Sequence, residues 1–365
     1  MLGGENGVPF CLAVVNPGGH DPEQHFPSGA GQPNTPGVPH PPINFHAYAA
    51  CTGGSFHSQA NTALLTGRPV LLLLRRDLKA AWRCLRRLKK FNRVVAVAFK
   101  EAGTGQIASR LTAGSDLRLL GDIVDLADGC LAPVPWMVEF FASLRSTARG
   151  EHDDTIAFLP TPYPVDDARW SFSVPPAQRR GIFVGTREFA VPARQHLRAV
   201  LAARQLHGLT GEHVTVVNTE GRQGLRALVA LGFSRRPDSA LGILPGPLPY
   251  GEYLRTVARH RIVLQLDQSG VPGQVAGDAL LCRVPCVGGD GAVEQIVFPG
   301  FHGLGRDAAL LTSLAADLLQ HPDAYDRAWR DAQTRAMQHL SFRATAERLL
   351  QFYRALAASA VRRGI

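Results

Sequence analysis

An α/β protein built from two Rossmann-like halves is the fold class that the sequence predicts, on three observations. Short apolar runs rich in Val, Ile and Leu alternate with segments of helical period along the whole chain, the pattern of parallel strands joined by helices. The alternation restarts after a proline-rich bridge, Pro160-Thr161-Pro162-Tyr163-Pro164. The 365 residues then divide into two parts of ordinary domain size, 1–165 and 166–365.

In the first part the runs at 10–15, 70–74, 94–99, 130–132 and 156–159 read as strands, with helices between them. Segment 77–91 puts Leu78, Ala81, Trp82, Leu85 and Leu88 on one face and basic side chains around the rest, so it predicts a helix that covers a sheet. Segment 26–42 holds too much Pro and Gly for regular structure, and a loop of this length after the first strand is expected to shape a binding pocket. In the second part strands are expected at 182–184, 214–217, 242–244, 262–266 and 285–287, and a helix at 275–282. A terminal helix over 344–361, with Ala346, Leu349, Leu350, Phe352, Tyr353 and Leu356 at helical spacing, is assigned to the second domain and packs on one or both halves.

Composition excludes several classes. With 45% hydrophobic and 19% charged residues the chain has the means to bury a core, which excludes wholesale disorder. No apolar run approaches the roughly 20 residues of a membrane span, and the N-terminal run is broken by Pro9, so a cytoplasmic protein is expected. The six cysteines form no CxxC pair and the histidines no zinc spacing, which predicts reduced thiols and no metal. The net charge of +9 is concentrated in 75–90, where eight basic residues face Asp77 alone. Nucleic acid is therefore not an expected partner. Besides covering a sheet, that basic helix offers a peripheral contact with anionic membrane.

Residues 242–305 read as three strand-to-helix turns brought to one sheet edge. The turn 268–274 contains Ser269, Gly273 and Gln274 and opens a helix at Val275. Free N–H groups and the helix dipole make such a start an anion site suited to phosphate. Asp278, one turn further in, has the chemistry to accept bonds from ribose hydroxyls. Earlier in the same part, Gly185-Thr186-Arg187 ends a strand, and Arg194 follows about two turns on.

This order of parts resembles the donor half of GT-B glycosyltransferases, above all their glycogen-synthase-like branch. Leu244-Pro245-Gly246, 268–274, Asp278, Arg283-Val284-Pro285-Cys286-Val287 and 289–294 follow one another as in that branch. The likeness covers roughly 180–350 by motif and the N-terminal half by architecture. It implies two facing Rossmann-like domains and metal-independent transfer of a sugar from a nucleoside diphosphate to an unidentified acceptor, with no cofactor beyond the nucleotide sugar. By the resemblance, Arg187 and Arg194 neutralise the diphosphate, Asp278 holds the ribose, and Gly185, Thr186, Gly246, Ser269, Gly273, Gln274 and Val275 line the donor. Gly270 stands where the branch keeps its first glutamate, so retention or inversion stays open. A nucleotide-sugar 2-epimerase and a non-catalytic nucleotide-sugar binder are the alternative readings.

The first part supplies Asn16-Pro17-Gly18-Gly19-His20-Asp21 after its first strand. The resemblance turns Gly18 and Gly19 toward the donor phosphates. His20 and Asp21 are the nearest groups with base character, the chemistry that accepts an acceptor hydroxyl's proton. His46, just past the long loop, and Glu101, at a strand end, are the acceptor-binding candidates.

Overall fold

The computed structural model describes residues 10–19, 21–33, 41–58, 62, 64–145 and 154–362. The chain forms two compact units, Met1–Asp166 with Leu340–Ile365, and Asp167–His339.

The first unit is a seven-stranded sheet of β1 (Ala13–Asn16), β2 (Gln24–His25), β3 (Ser55–Ser58), β4 (Val70–Leu74), β5 (Val95–Phe99), β6 (Gly129–Ala132) and β7 (Ile156–Phe158), in the order β2-β3-β1-β4-β5-β6-β7. All neighbours pair in parallel except β2, which runs antiparallel to β3. β1, β4 and β5 are buried along their whole length, which is why they read as continuous apolar runs rather than alternating ones. From β1 the chain builds first toward β3 and then, with β4, on the other side. The order therefore reverses between β1 and β4.

The helices of this unit are α1 (Phe45–Ala50), α2 (Leu78–Leu88), α3 (Thr104–Ala108), α4 (Gly114–Leu126) and α5 (Trp136–Leu144). The basic segment is α2. Asp77 caps it by accepting from Ala80 N (2.8 Å), and Leu78, Ala81, Leu85 and Leu88 are buried against β4 and α4. The apolar face thus covers the sheet, and Arg83, Arg86 and Arg87 stay exposed.

The second unit is a five-stranded, wholly parallel sheet of β8 (Ile182–Val184), β9 (Val214–Asn218), β10 (Leu241–Pro245), β11 (Ile262–Leu264) and β12 (Cys286–Val287), ordered β10-β9-β8-β11-β12. Its helices are α6 (His196–Thr210), α7 (Gly221–Ala230), α8 (Tyr250–Ala258), α9 (Gln274–Leu281), α10 (Ala292–Val297), α11 (Ala308–Gln320) and α12 (Pro322–His339). Here the order reverses between β8 and β11. All six cysteines are free, four of them buried. Among the described residues no helix is long and apolar enough to cross a membrane.

The terminal helix, α13 (Phe342–Arg362), departs from the sequence expectation, which assigned it to the second domain. It belongs to the first unit because its apolar stripe and three polar groups are used there. Leu356 is fully buried beside Gly129, where an added Cβ would stand 2.6 Å from Leu356 Cδ2. The Tyr353 hydroxyl donates to Val70 O (2.8 Å), Arg348 Nη2 donates to Phe158 O (3.1 Å), and Asp166 accepts from Arg343 N (3.2 Å).

Leu356→Ala should therefore destabilise the first unit by about 2–5 kcal/mol, the usual effect of truncating a buried leucine. In denaturant unfolding the transition of that unit should move to lower concentration. An unchanged midpoint would mean that α13 does not hold the first unit together.

Candidate active site

The loops after β8 and β11 meet at the point where the second sheet reverses its order, the place where open parallel sheets hold ligands. Gln268 N donates to Ala193 O (2.8 Å) and ties the two loops together. Gly185 N donates to Leu264 O (2.8 Å), and a Cβ on Gly185 would run into Val275 and stand 3.1 Å from Val263 Cγ1. A glycine is thus required for α9 to begin directly against the end of β8. The helix starts after Gly273, whose φ of 98° suits glycine, and no side chain caps it. The first turn of α9 lies at this crevice, where helix N–H groups are beyond the reach of the helix's own carbonyls.

Arg187 follows Gly185 and lies over the Tyr253 ring, with its guanidinium carbon 5.3 Å from the centroid. Below it is Asp278. This carboxylate is buried at 1% exposure, with the Tyr250 hydroxyl 2.5 Å from Oδ1. Burial pushes its pKa up to about 7, against the pull of Tyr250, Arg187 and the Gln274 amide toward the charged form. Asp278 Oδ2 has no hydrogen-bond partner among the described residues. Gly246, whose N–H donates to Asn218 O (3.0 Å), lies in the turn that leads into α8 and so brings Tyr250 onto Asp278.

The remaining donor-site candidates have partners of their own. Thr186 Oγ1 meets His196 Nδ1 (3.0 Å). Burial lowers the pKa of that imidazole to about 4, so it is neutral, and Phe189 packs edge-on against it at 4.4 Å. Arg194 pairs with Asp267 and, at 3.3 Å, with Glu188, so two carboxylates already match the charge expected to face phosphate. Ser269 donates from both N (2.9 Å) and Oγ to Asp267 Oδ1, which shapes the turn before α9. Asp267 thus organises both flanks of the crevice.

Glu294 on α10 lies behind the same turn at 2% exposure. Its Oε1 accepts from Gln265 Nε2 (2.7 Å), its Oε2 has no partner among the described residues, and a Cβ on Gly273 or Gly291 would collide with it. Burial raises its pKa to about 8, with Asp267 and Asp290 adding to the rise. A neutral carboxyl here leaves the positive start of α9 undiminished at neutral pH. Among the described residues no three His, Cys, Asp or Glu side chains converge as metal ligands do.

In the first unit the strand ends at the reversal point carry a network of charges. Gly18 (φ 68°) and Gly19 form the turn after β1, and a Cβ on Gly19 would stand 2.9 Å from Arg75 Nη1. Asp21 Oδ2 accepts from Asn16 Nδ2 (2.7 Å) and Lys100 Nζ (2.5 Å). Glu101 pairs with Arg110 and, at 3.7 Å, with Arg75. Turn and strand ends thus bring Asp21 and Glu101 into one neighbourhood. His46 is not part of it. It is buried on α1, stacked on Phe56 at 3.8 Å and edge-on to Phe26 at 6.4 Å, which is a packing role. His20 and residues 34–40 of the long loop lie outside the described residues.

Tyr250, Tyr253 and Asp267 were not singled out from the sequence, and Glu294 entered only as the end of the segment 289–294. Periodicity places Tyr250 and Tyr253 on a helix, with no sign that their rings reach another strand's loop.

The Glu294 carboxyl yields a test with a definite sign. Its pKa is raised on folding from 4.5 to about 8, so the native state binds more protons than the unfolded chain within that window, and stability falls as pH rises through it. His196 acts in the opposite sense, stabilising above its unfolded value of 6.5 and losing that as pH falls toward about 4. Between about pH 6 and 9 the native protein should lose on the order of 2 kcal/mol that Glu294→Gln retains. Thermal melts across this range would show parallel declines for both proteins if Glu294 were not the group responsible.

No family model matches the chain, and no curated protein matches it. Solved structures do. A sucrose-phosphate synthase from Thermosynechococcus elongatus is similar over 80% of this chain and 74% of its own, at 17% identity and a TM-score of 0.54. An α,α-trehalose-6-phosphate synthase from Burkholderia multivorans is similar over 88% and 76%, at 10% identity and a TM-score of 0.60. The pneumococcal O-GlcNAc transferase GtfA, in complex with UDP and GlcNAc, is similar over 83% of this chain and 59% of its own, at 13% identity and a TM-score of 0.55. At such identities the likeness is one of fold: the chain has the two-unit α/β architecture of the GT-B glycosyltransferases.

Proposed function

We propose that this protein is a glycosyltransferase whose second unit binds a nucleoside-diphosphate sugar and transfers the sugar without a metal ion. One observation carries the reading: the uncapped start of α9 opens against the end of β8, beside Arg187 and above a buried carboxyl with an unpartnered oxygen. A diphosphate there meets the first-turn N–H groups of α9 and the Arg187 guanidinium. Both face charge that grows as the sugar leaves, which is electrostatic stabilisation of the transition state. Asp278 receives the ribose hydroxyls through Oδ2, with the Tyr250 ring turning aside to admit them. Arg194 acts by holding Asp267 in place rather than by touching phosphate. The acceptor belongs to the first unit, with Asp21 as the described group of base character. The GT-B fold and a neighbour whose structure contains UDP support the reading.

Two substitutions separate the roles. Asp278→Ala should weaken nucleoside diphosphate binding about 10- to 100-fold, the effect of losing a charged hydrogen-bond acceptor, and leave inorganic pyrophosphate binding unchanged. Arg187→Ala should weaken both ligands and lower turnover as well. Calorimetry with the two ligands reads the first point directly. Equal effects of Asp278→Ala on both would remove the ribose assignment. Incubation with a panel of nucleotide sugars separates the activities, since an isomerised donor means an epimerase and binding without turnover a binder.

A further inference from the structure

The charge network of the first unit is unbalanced. Arg75 and Arg76 follow β4, Lys100 follows β5, and Arg110 comes from beyond α3, whereas among the described residues Asp21 and Glu101 are the carboxylates paired with them, leaving two positive charges unmatched there. Arg110 is the most confined of the four. Its side chain is 11% exposed and its Nη1 is buried with no hydrogen-bond partner among the described residues. Burial, together with the nearby Arg75 and Arg76 guanidiniums, disfavours its charge. Packing alone does not explain crowding like charges around a buried, unsatisfied N–H, because the arrangement costs free energy that an arginine turned to solvent would avoid.

The place matters as much as the charge. These residues sit at the carboxyl ends of β4 and β5 and beside the Gly18-Gly19 turn of β1, where the strand order of the first sheet reverses. Such a crevice is where parallel sheets bind ligands. A Cβ on Gly19 would run into the Asn16 amide and stand 2.9 Å from Arg75 Nη1, so a glycine here lets the turn lie close against that guanidinium. Planar guanidiniums match the oxygens of phosphate better than those of a neutral sugar, and a phosphomonoester carries about the two negative charges that the network lacks.

We propose that the first unit contains a phosphate-binding site formed by Arg75, Arg76, Lys100 and Arg110 around the Gly18-Gly19 turn, which takes a phosphate-bearing molecule. That this molecule is the acceptor rests on the transferase reading. The binding itself does not.

The full chain is titrated by calorimetry at low salt with inorganic phosphate, with glycerol 3-phosphate and with glycerol. Phosphate and glycerol 3-phosphate should bind and glycerol should not. Arg75→Gln and Arg110→Gln should each weaken glycerol 3-phosphate binding about 10-fold or more, the effect of losing one charge-assisted hydrogen bond. Arg76→Gln, at an exposed position where folding is not at stake, should weaken it several-fold. Arg187→Ala in the second unit should leave this binding in place, and a loss confined to Arg187→Ala would overturn the proposal. Binding unaffected by Arg75→Gln and Arg110→Gln would overturn it equally. A parallel arm sediments the chain with phosphatidylglycerol or phosphatidylcholine vesicles. Capture by phosphatidylglycerol alone, abolished by Arg75→Gln and Arg110→Gln, assigns the phosphate to a lipid headgroup, whereas binding of glycerol 3-phosphate without vesicle capture assigns it to a soluble molecule.

Discussion

Three carboxyl groups, those of Asp267, Asp278 and Glu294, lie out of water beneath the carboxyl edge of the second sheet, and the form of the crevice follows from how each is accommodated. A buried carboxylate is costly unless it is paired, hydrogen-bonded or neutral. Asp267 is paired: Arg194 takes one oxygen and Ser269 the other, which fastens the loop after β8 to the turn before α9. Asp278 is hydrogen-bonded by Tyr250, which draws the start of α8 over α9. Glu294 is held largely neutral against Gln265, and glycines at 273 and 291 leave it room. Each solution also serves the crevice. The first fixes the turn, the second puts an aromatic ring over a hydrogen-bond acceptor, and the third avoids a negative charge behind the start of α9.

The first sheet solves the opposite problem. Its strand ends gather cations rather than carboxyls, and Asp21 and Glu101 balance only part of the charge. The two units share a chain topology, with a reversal of strand order beside the first strand of each, yet they equip it differently. In the second, backbone amides and one arginine face the crevice while acids lie below. In the first, guanidinium and ammonium groups do the facing. The proposed division of substrates would suit this difference, a helix start facing the crevice of the second unit and side-chain charge facing that of the first.

Much of the framework was legible in the chain. The runs 70–74 and 182–184 coincide with β4 and β8, because a strand covered on both faces has to be apolar throughout and so announces itself. Ser55–Ser58 and Gln24–His25 gave no such signal. Their polar residues suit a strand only because β1 and β3 already provide an edge to pair with, and that edge exists only in the folded unit. The amphipathic stripe of α13 was equally clear, but a stripe says that a helix is covered and not by what. Gly129, Val70 and Phe158, from the far end of the chain, decided that.

For the site the division is similar. The sequence by itself determined that Gly185, Arg187, Gly273 and Asp278 stand at strand ends and a helix start, since those positions depend on local periodicity and on turns that only glycine allows. Only the tertiary structure decided which of these residues meet and in what state. That Asp278 is buried under Tyr250 shows only in the folded unit, and Arg194 reads as a phosphate ligand until Asp267 claims it. Gln265 and Arg110 lie in no motif, and neither the segment 289–294 nor the basic run 75–90 tells which groups Glu294, Arg75 and Arg76 meet. The physical reason is range: periodicity and turn preference act over a few residues, whereas desolvation and charge pairing act between groups that the chain brings together from as far apart as Arg194 and Asp267.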